Sequence, residues 1–428
     1  MFSFAKPNKM VKFLFSSVFI TLACLHSDAQ SIHCATSDKM QELLITDPDL
    51  QKRRDDIEAF TQKWIREHAD NLNERGGITI PVVVHVVYNT SEQNISDFQI
   101  QTQIAVLNED YRKLNGDVGN VPSVWSNLVA DVGIEFALAT CHPNGFQTNG
   151  ITRTYTTVDN WLTSDNIKLS SMGGHDSWDN DSYLNIWVGN IQSGILGWAP
   201  QPGGDDWRDG VVIGYKYFGR PSQSSTYSKG RTTTHEIGHY FNLDHLWGAG
   251  PSNLNCTADD GVADTPKQLE ANFGCNHTFP DTSCSNGPNG DMFNNFMDYG
   301  NDPCMFFFTE GQKARMLAAL NGPRASLLSS SGLSQCPVGI EETMLRSSLI
   351  IYPNPATDQI NIQSDQLENL VSDIRIFDLT GKEVLKQSNV RLGNAAFDLY
   401  VNELSNGTYV LEIRSEQEVV TQKIHIIR

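Results

Sequence analysis

The apolar positions along this chain change period several times, and each change predicts an element. "ITIPVVVHVVY", residues 78–88, is an almost unbroken apolar run, which suits a strand covered on both faces. "SDFQIQTQIAVLNEDYRKL" switches to helical spacing: Ile100, Ile104, Leu107, Tyr111 and Leu114 share a face, and Ser96 with Gln99 has capping-box spacing. "GIEFALAT" and "SYLNIWVGNI" alternate as strands do, and "DGVVIGY" is a third short strand. Upstream, residues 30–75 are polar and helix-prone, in two amphipathic pieces broken at Asp47-Pro48. Residues 248–304 are rich in Gly, Asn, Asp and Cys without a period and read as loop. A helix capped by Thr309 and Gln312 and stopped at Asn321-Gly322 follows. Beyond it, "LIIYPNPATDQINIQ", "DIRIFDLTGKEVLKQ", "AAFDLYV" and "NGTYVLEIRSEQEVVTQKIHIIR" are short alternating strands parted by turn residues, predicting a separate all-β sandwich.

The order of helices and strands before residue 337, with this sandwich after it, gives an α+β class with more than one domain. A length of 428 residues also exceeds one ordinary core. At the N-terminus, Lys6, Lys9 and Lys12 precede the apolar "FLFSSVFITLACL" and the short "HSDA". That order is a secretory signal, residues 1–29, cut after Ala29. The apolar run is shorter than the ~20 residues a membrane span needs, and no other segment is apolar enough to cross. A lipoprotein acylated on Cys24 is the alternative, although Thr21 stands where a lipobox usually has leucine. The net charge of −19 argues against nucleic acid and anionic lipid as partners, since both reward basic patches.

The candidate chemistry lies in "RTTTHEIGHYFNLDHLW", residues 231–247. On a helix, His235 and His239 lie one turn apart on one face, close enough for both imidazoles to reach one zinc ion. Glu236 stands beside the first and can take a proton from a water attacking a carbonyl. His245 can be the third ligand only if the chain reverses after the helix, which needs a positive φ at position 242. Glycine adopts that freely; asparagine is the next most tolerant residue, so Asn242 keeps the turn possible. Asp244 is the lesser alternative ligand. His85, inside the first strand, reads as a satisfied core histidine.

"HEIGHYFNLDH" followed by "NNFMDYG" resembles the metzincin metalloproteases, and within them the pappalysin family. The likeness runs through "IPVVVHVVYN", "LNIWVGNI", "GILGWAPQPGG", "CTADDGVADTPKQ" and "CMFFFTEGQKARML", most of residues 78–322, with Asn242 the clear departure. It implies a metzincin-like catalytic domain with a mixed twisted sheet and an active-site helix. Met297 matches the methionine beneath the metal, and Tyr299 the tyrosine that assists the tetrahedral intermediate. It also implies crossed disulfides Cys256–Cys284 and Cys275–Cys304, for which sequence alone leaves other pairings open; Cys141–Cys336 is expected as the remaining pair. "DDGVADTP" looks like a calcium loop, with Asp260 and the Thr265 carbonyl on the ion and Asp264 as a further candidate; an Asp-rich turn without an ion is the alternative. Cys34 is then the odd thiol, in a stretch that resembles a propeptide. As a thiolate it could cap the zinc until residues 30–76 are cut away within Lys52–Arg54 or near Arg75; an incidental cysteine is the alternative.

"YPNPATDQINI", "DLTGKEV", "NGTYVLEI" and a basic last strand with Lys423 resemble the C-terminal sorting domain of type IX secretion substrates in Bacteroidetes. The expected order is signal peptide 1–29, propeptide 30–76, peptidase domain 77–337, linker 338–346 and sorting domain 347–428. This resemblance implies passage through the periplasm and outer membrane by the type IX machinery, to a secreted or cell-surface location. The expected function is a zinc endopeptidase made as a zymogen and acting on proteins or peptides laid against an edge strand near "ILGWAPQPGG". A catalytically silent metal-binding adhesin and a hydrolase of non-peptide amides are the competing readings.

Overall fold

The N-terminal elements follow the sequence pattern: α1, Thr36–Thr46, and α2, Leu50–His68, flank the break at Pro48. The computed structural model describes residues 1, 34–69, 77–221, 226–250, 256–334, 336, 349–364, 370–415 and 419–428. The expected signal peptide with Cys24, the cleavage region near Arg75 and the linker at 338–346 lie outside the described residues. Two units are distinguished, Met1–Cys336 and Pro337–Arg428. No helix among the described residues is long and apolar enough to cross a membrane.

In the first unit β1, Ile78–Tyr88, is the long strand around which the sheet is laid. Helix α3, Asp97–Tyr111, follows. Strands β2, Ile134–Leu138, and β3, Ile151–Tyr155, pair in parallel with the first and second halves of β1. Strand β4, Leu184–Gly189, lies parallel on the other side of β1. The edge strand β5, Gly197–Trp198, pairs antiparallel with β6, Val211–Gly214, which itself runs parallel to β4. The sheet order β2–β1–β4–β6–β5 is therefore mixed only at its edge.

Strands β4 and β6 are buried at every position. Their alternation separates two apolar clusters rather than core from solvent: Ile186 and Ile213 enter the main core, whereas Trp187 and Val212 enter a second cluster on the opposite face. His85 is a core histidine, its ring nitrogens 2.8 Å from Thr152 Oγ1 and 2.9 Å from Asn185 Oδ1. Helix α3 departs from expectation twice. Ser96 Oγ accepts from the Gln99 N–H, but the Gln99 side chain donates to the Phe218 carbonyl, so the box is half closed. Leu114 lies past the helix end and is 71% exposed.

Helix α4, Arg231–Tyr240, is buried at all its residues, and α5, Glu310–Leu320, closes the unit. The expected capping box is complete at α5, and Asp264 extends it: its carboxylate accepts from Thr309 Oγ1 at 2.7 Å and the Gly311 N–H at 2.9 Å. Three disulfides join Cys141–Cys336, Cys256–Cys284 and Cys275–Cys304, the last two crossed in sequence.

Among its described residues the second unit has seven strands: β7, Leu349–Tyr352; β8, Gln359–Ser364; β9, Leu370–Phe377; β10, Glu383–Leu392; β11, Phe397–Tyr400; β12, Gly407–Ser415; and β13, Val419–Ile426. They form antiparallel sheets β10–β9–β12–β13 and β11–β8–β7. Ile360, Ile362 and Leu399 from one sheet share a core with Ile374, Ile376, Leu411 and Ile424 from the other. This is the alternation of a sandwich.

Thr309→Ala removes a buried cap and a donor to Asp264. It should lower stability by about 1–2 kcal/mol, read as a lower urea midpoint, with Thr309→Ser recovering most of the loss.

Candidate functional site

Helix α4 carries His235 and His239 one turn apart and ends in a Schellman motif. The Asn242 N–H donates to the His239 carbonyl at 2.9 Å and the Leu243 N–H to the Gly238 carbonyl at 3.0 Å. Asn242 takes φ +70°, as the reversal requires, and His245 turns back toward the helix. His239 Nε2 lies 3.1 Å from both His235 Nε2 and His245 Nε2. Cys34 Sγ completes the group, with all four ligand atoms within 4.8 Å of one another.

The protons on two of these rings follow from geometry. His235 Nδ1 is 2.7 Å from the Phe296 carbonyl and His239 Nδ1 is 2.8 Å from the Leu243 carbonyl. A carbonyl only accepts, so each Nδ1 carries the proton and each Nε2 presents a lone pair. Burial holds both rings neutral, His235 well below the usual imidazole range and His239 at about 4. Lone pairs facing each other at this distance repel unless a cation lies between them. Ligands on a tetrahedral zinc stand about 3.3 Å apart, so the donor set fits a divalent metal.

Glu236 is fully buried and raised to about 8, burial being the main cause. Its Oε1 has no hydrogen-bond partner among the described residues, whereas Oε2 meets Cys34 Sγ at 3.3 Å and Thr36 Oγ1 at 3.1 Å. Strand β5 passes directly over this carboxylate, because a Cβ on Gly197 would stand 3.1 Å from Glu236 Cγ. Met297 lies under the helix, where a Cβ at Gly238 would collide with its Sδ. Tyr299 OH reaches the Cys34 carbonyl at 3.3 Å, and its ring lies edge-on to His245.

Several site residues gave no sequence signal that was followed. Ala35 N–H donates to the Gly197 carbonyl at 3.0 Å and Ala199 N–H to Thr36 Oγ1 at 3.0 Å, so the N-terminal segment occupies the edge strand's free groups. Ser37 Oγ is 3.2 Å from His245 Nδ1. Farther along, Lys39 pairs with Asp165, Arg54 donates to Asn242 Oδ1 at 2.6 Å, and Glu58 pairs with Arg315 at 2.8 Å. Lys52–Arg54 therefore lies inside a docked helix, not in the flexible stretch expected of a cleavage site. Trp247 stacks on His245, and its place two residues after the third histidine was the one available clue.

The cleft beside His235 and Glu236 is lined by Leu196, Tyr227, Thr232, Asp302 and Met305. Asp302 is fully buried; Oδ2 accepts the Lys229 N–H at 2.7 Å, while Oδ1 has no partner among the described residues. Asp264 is committed to α5. Asp260 faces the Thr265 hydroxyl at 2.8 and 2.9 Å, and burial raises its carboxyl to about 8.

Residues 169–321 match the family model described as pregnancy-associated plasma protein-A, and residues 350–427 match the secretion system C-terminal sorting domain. An extracellular metalloprotease of Arthroderma otae is 31% identical over 265 residues, spanning 58% of this chain and 80% of its own. A second, from Colletotrichum graminicola, is 30% identical over 282 residues, 62% of this chain and 86% of its own. Among solved structures, a promirolysin mutant of Tannerella forsythia is 44% identical with a TM-score of 0.63, covering 69% of this chain and 97% of its own. Mature mirolysin of the same organism, in complex with a cleaved peptide, is 48% identical with a TM-score of 0.57, covering 59% and 96%. The buried histidine cluster, the edge strand above it and these likenesses have one meaning: the chain belongs to the pappalysin family of metzincin metalloproteases, a secreted protease made as a zymogen and carrying a type IX sorting domain.

Proposed function

We propose that this chain is a zinc endopeptidase in which His235, His239 and His245 hold the metal, Glu236 is the general base and Tyr299 stabilises the oxyanion. The observation that carries it is the set of facing Nε2 atoms beside a buried carboxylate oxygen left without a partner. Three imidazoles suit zinc better than a hard cation. A zinc ion held by these three residues would supply Lewis acidity for the scissile carbonyl and would bring the pKa of a water toward ~7.

The chain's own residues do the rest. Glu236 Oε1 takes the proton from the attacking water, in a site dry enough to strengthen that transfer. The Tyr299 hydroxyl donates to the oxygen that gains charge. Gly197 and Ala199 offer the main-chain groups against which an extended substrate pairs as an added strand. Asp302 Oδ1, buried and without a partner in the cleft wall, favours a basic side chain in that subsite, because a cation there would satisfy it.

On this reading residues 1–29 are the signal peptide, 30–76 the propeptide, 77–337 the peptidase domain, 338–346 a linker and 347–428 the sorting domain. Cys34 takes the metal position a water needs, and Thr36 holds Glu236 and the edge strand. The greater coverage by promirolysin than by the mature form, 69% against 59%, supports a zymogen segment of this kind. A calcium ion at Asp260, beside Thr265, would compensate a buried carboxylate that has no cation in contact.

Glu236→Ala should retain stoichiometric zinc and lose peptide turnover by at least a thousandfold, whereas His239→Ala should lose both; a zinc-free wild type that still cleaves would end this reading. Cys34→Ala should give a precursor with measurable turnover, and Arg54→Ala should speed activation on the order of tenfold; precursors as silent and slow as wild type would contradict the lock. Asp302→Asn should cut kcat/KM for peptides with a basic residue in the cleft subsite by roughly tenfold or more, with little change for apolar ones, as read by mass spectrometry of cleaved peptide mixtures.

A further inference from the structure

We infer that Trp247 is a positioning residue whose indole fixes the His245 imidazole and the Tyr299 phenol relative to one another. The inference rests on the reading of His245 as a metal ligand.

His235 and His239 ride a buried helix, and backbone carbonyls fix their Nδ1 atoms. His245 rides a loop between two left-handed positions, Asn242 at φ +70° and Gly248 at φ +93°. Its Nδ1 meets the Ser37 hydroxyl, a contact that leaves with the propeptide. Stacking also restrains the plane of this ring. Trp247 lies on one side at 4.5 Å and 3° between planes, and His235 stacks at 5.2 Å and 29°.

Tyr299 is set edge-on against the same pair, 4.9 Å from Trp247 at 77° and 4.9 Å from His245 at 79°. Such T-shaped contacts place a positive ring edge on a negative face, so they orient as well as attract. The indole is itself pinned, because its N–H donates to the Gly250 carbonyl at 2.9 Å. Trp247 is 1% exposed, yet it stands outside the main apolar cluster to which Leu246 belongs.

Groups behind a metal ligand change metal affinity by about 10–100-fold when removed. In the mature, zinc-loaded enzyme, Trp247→Leu should release metal to a chelator on the order of tenfold faster, while Trp247→Phe, which keeps a stacking ring, stays within about threefold of wild type. kcat should fall in Trp247→Leu with KM little changed. Placed on Tyr299→Phe, the same substitution should cost little further kcat, because the residue it positions has already lost its hydroxyl. Metal release at the wild-type rate, or a kcat loss that multiplies undiminished on Tyr299→Phe, overturns the inference. If Trp247→Leu does not fold, Trp247→Met, which keeps bulk without a ring, is held to the same criteria. His245→Ala separates the two levels: if it keeps metal as wild type does, the ligand reading fails whatever Trp247 does.

Discussion

Three imidazoles brought within 3.1 Å contacts inside a dry core is the constraint on which the rest of this unit depends. His235 and His239, whose Nε2 lone pairs face each other, do not hold that spacing by mutual attraction, so the fold imposes it. The helix supplies two rings, and the reversal at Asn242 supplies the third. The anchor of His235 is the Phe296 carbonyl, next to Met297 and close to Tyr299 in sequence. One hydrogen bond therefore orients a ring and sets the height of the turn beneath it. Asp298 ties that turn down further, its carboxylate accepting from Tyr299 N–H at 2.8 Å and Asn272 N–H at 2.7 Å.

A core arranged for stability alone would not leave carboxylate oxygens buried and unmatched, since each costs about 1–3 kcal/mol or more. Glu236 Oε1 and Asp302 Oδ1 are both in that state, and both border the same cleft. Other buried charges of the unit are paired: Arg324 meets Asp209 through paired bonds of 2.6 and 2.8 Å, and Arg231 meets Asp117 in the same way. The contrast marks the cleft as the place where stability is traded for chemistry.

What could be read from the sequence was what has a period or a fixed spacing. The run at 78–88, the two N-terminal helices, the loop-rich 248–304 and the sandwich strands all carry such a signal, and so does the spacing of His235 and His239. The positive φ at Asn242 followed from its place in the motif. Leu114 was misread because helical spacing continues for a few residues past the point where the backbone leaves the helix. The roles of Thr36, Arg54 and Asp302 were not legible, because each depends on a partner far away in the chain. Arg54 shows this best: nothing near it in sequence signals that its guanidinium meets Asn242, 188 positions on. Asn242 thus does two things that glycine could do only in part. It accepts the left-handed turn, and its amide oxygen receives the N-terminal segment.

The spread of that segment's contacts has a consequence for how a lock of this kind opens. Burial raises the Cys34 thiol well above its ordinary pKa, with the Glu236 carboxylate adding to the effect. On the proposed reading the metal itself must draw off that proton before the sulfur becomes a ligand. Lys39, Arg54 and Glu58 also hold the segment, along two helices joined by a short break. Contacts in series on one tether act through effective concentration. While the chain is intact, each keeps the others in place; once it is cut, the segment must hold on by free association. Lys52–Arg54 is inside α2, with Arg53 and Arg54 bonded to the carbonyls of Gly203 and Pro202 at 2.7 and 3.2 Å. A protease acting there must wait for the helix to open, so the first cut falls more easily outside the docked helices than within them.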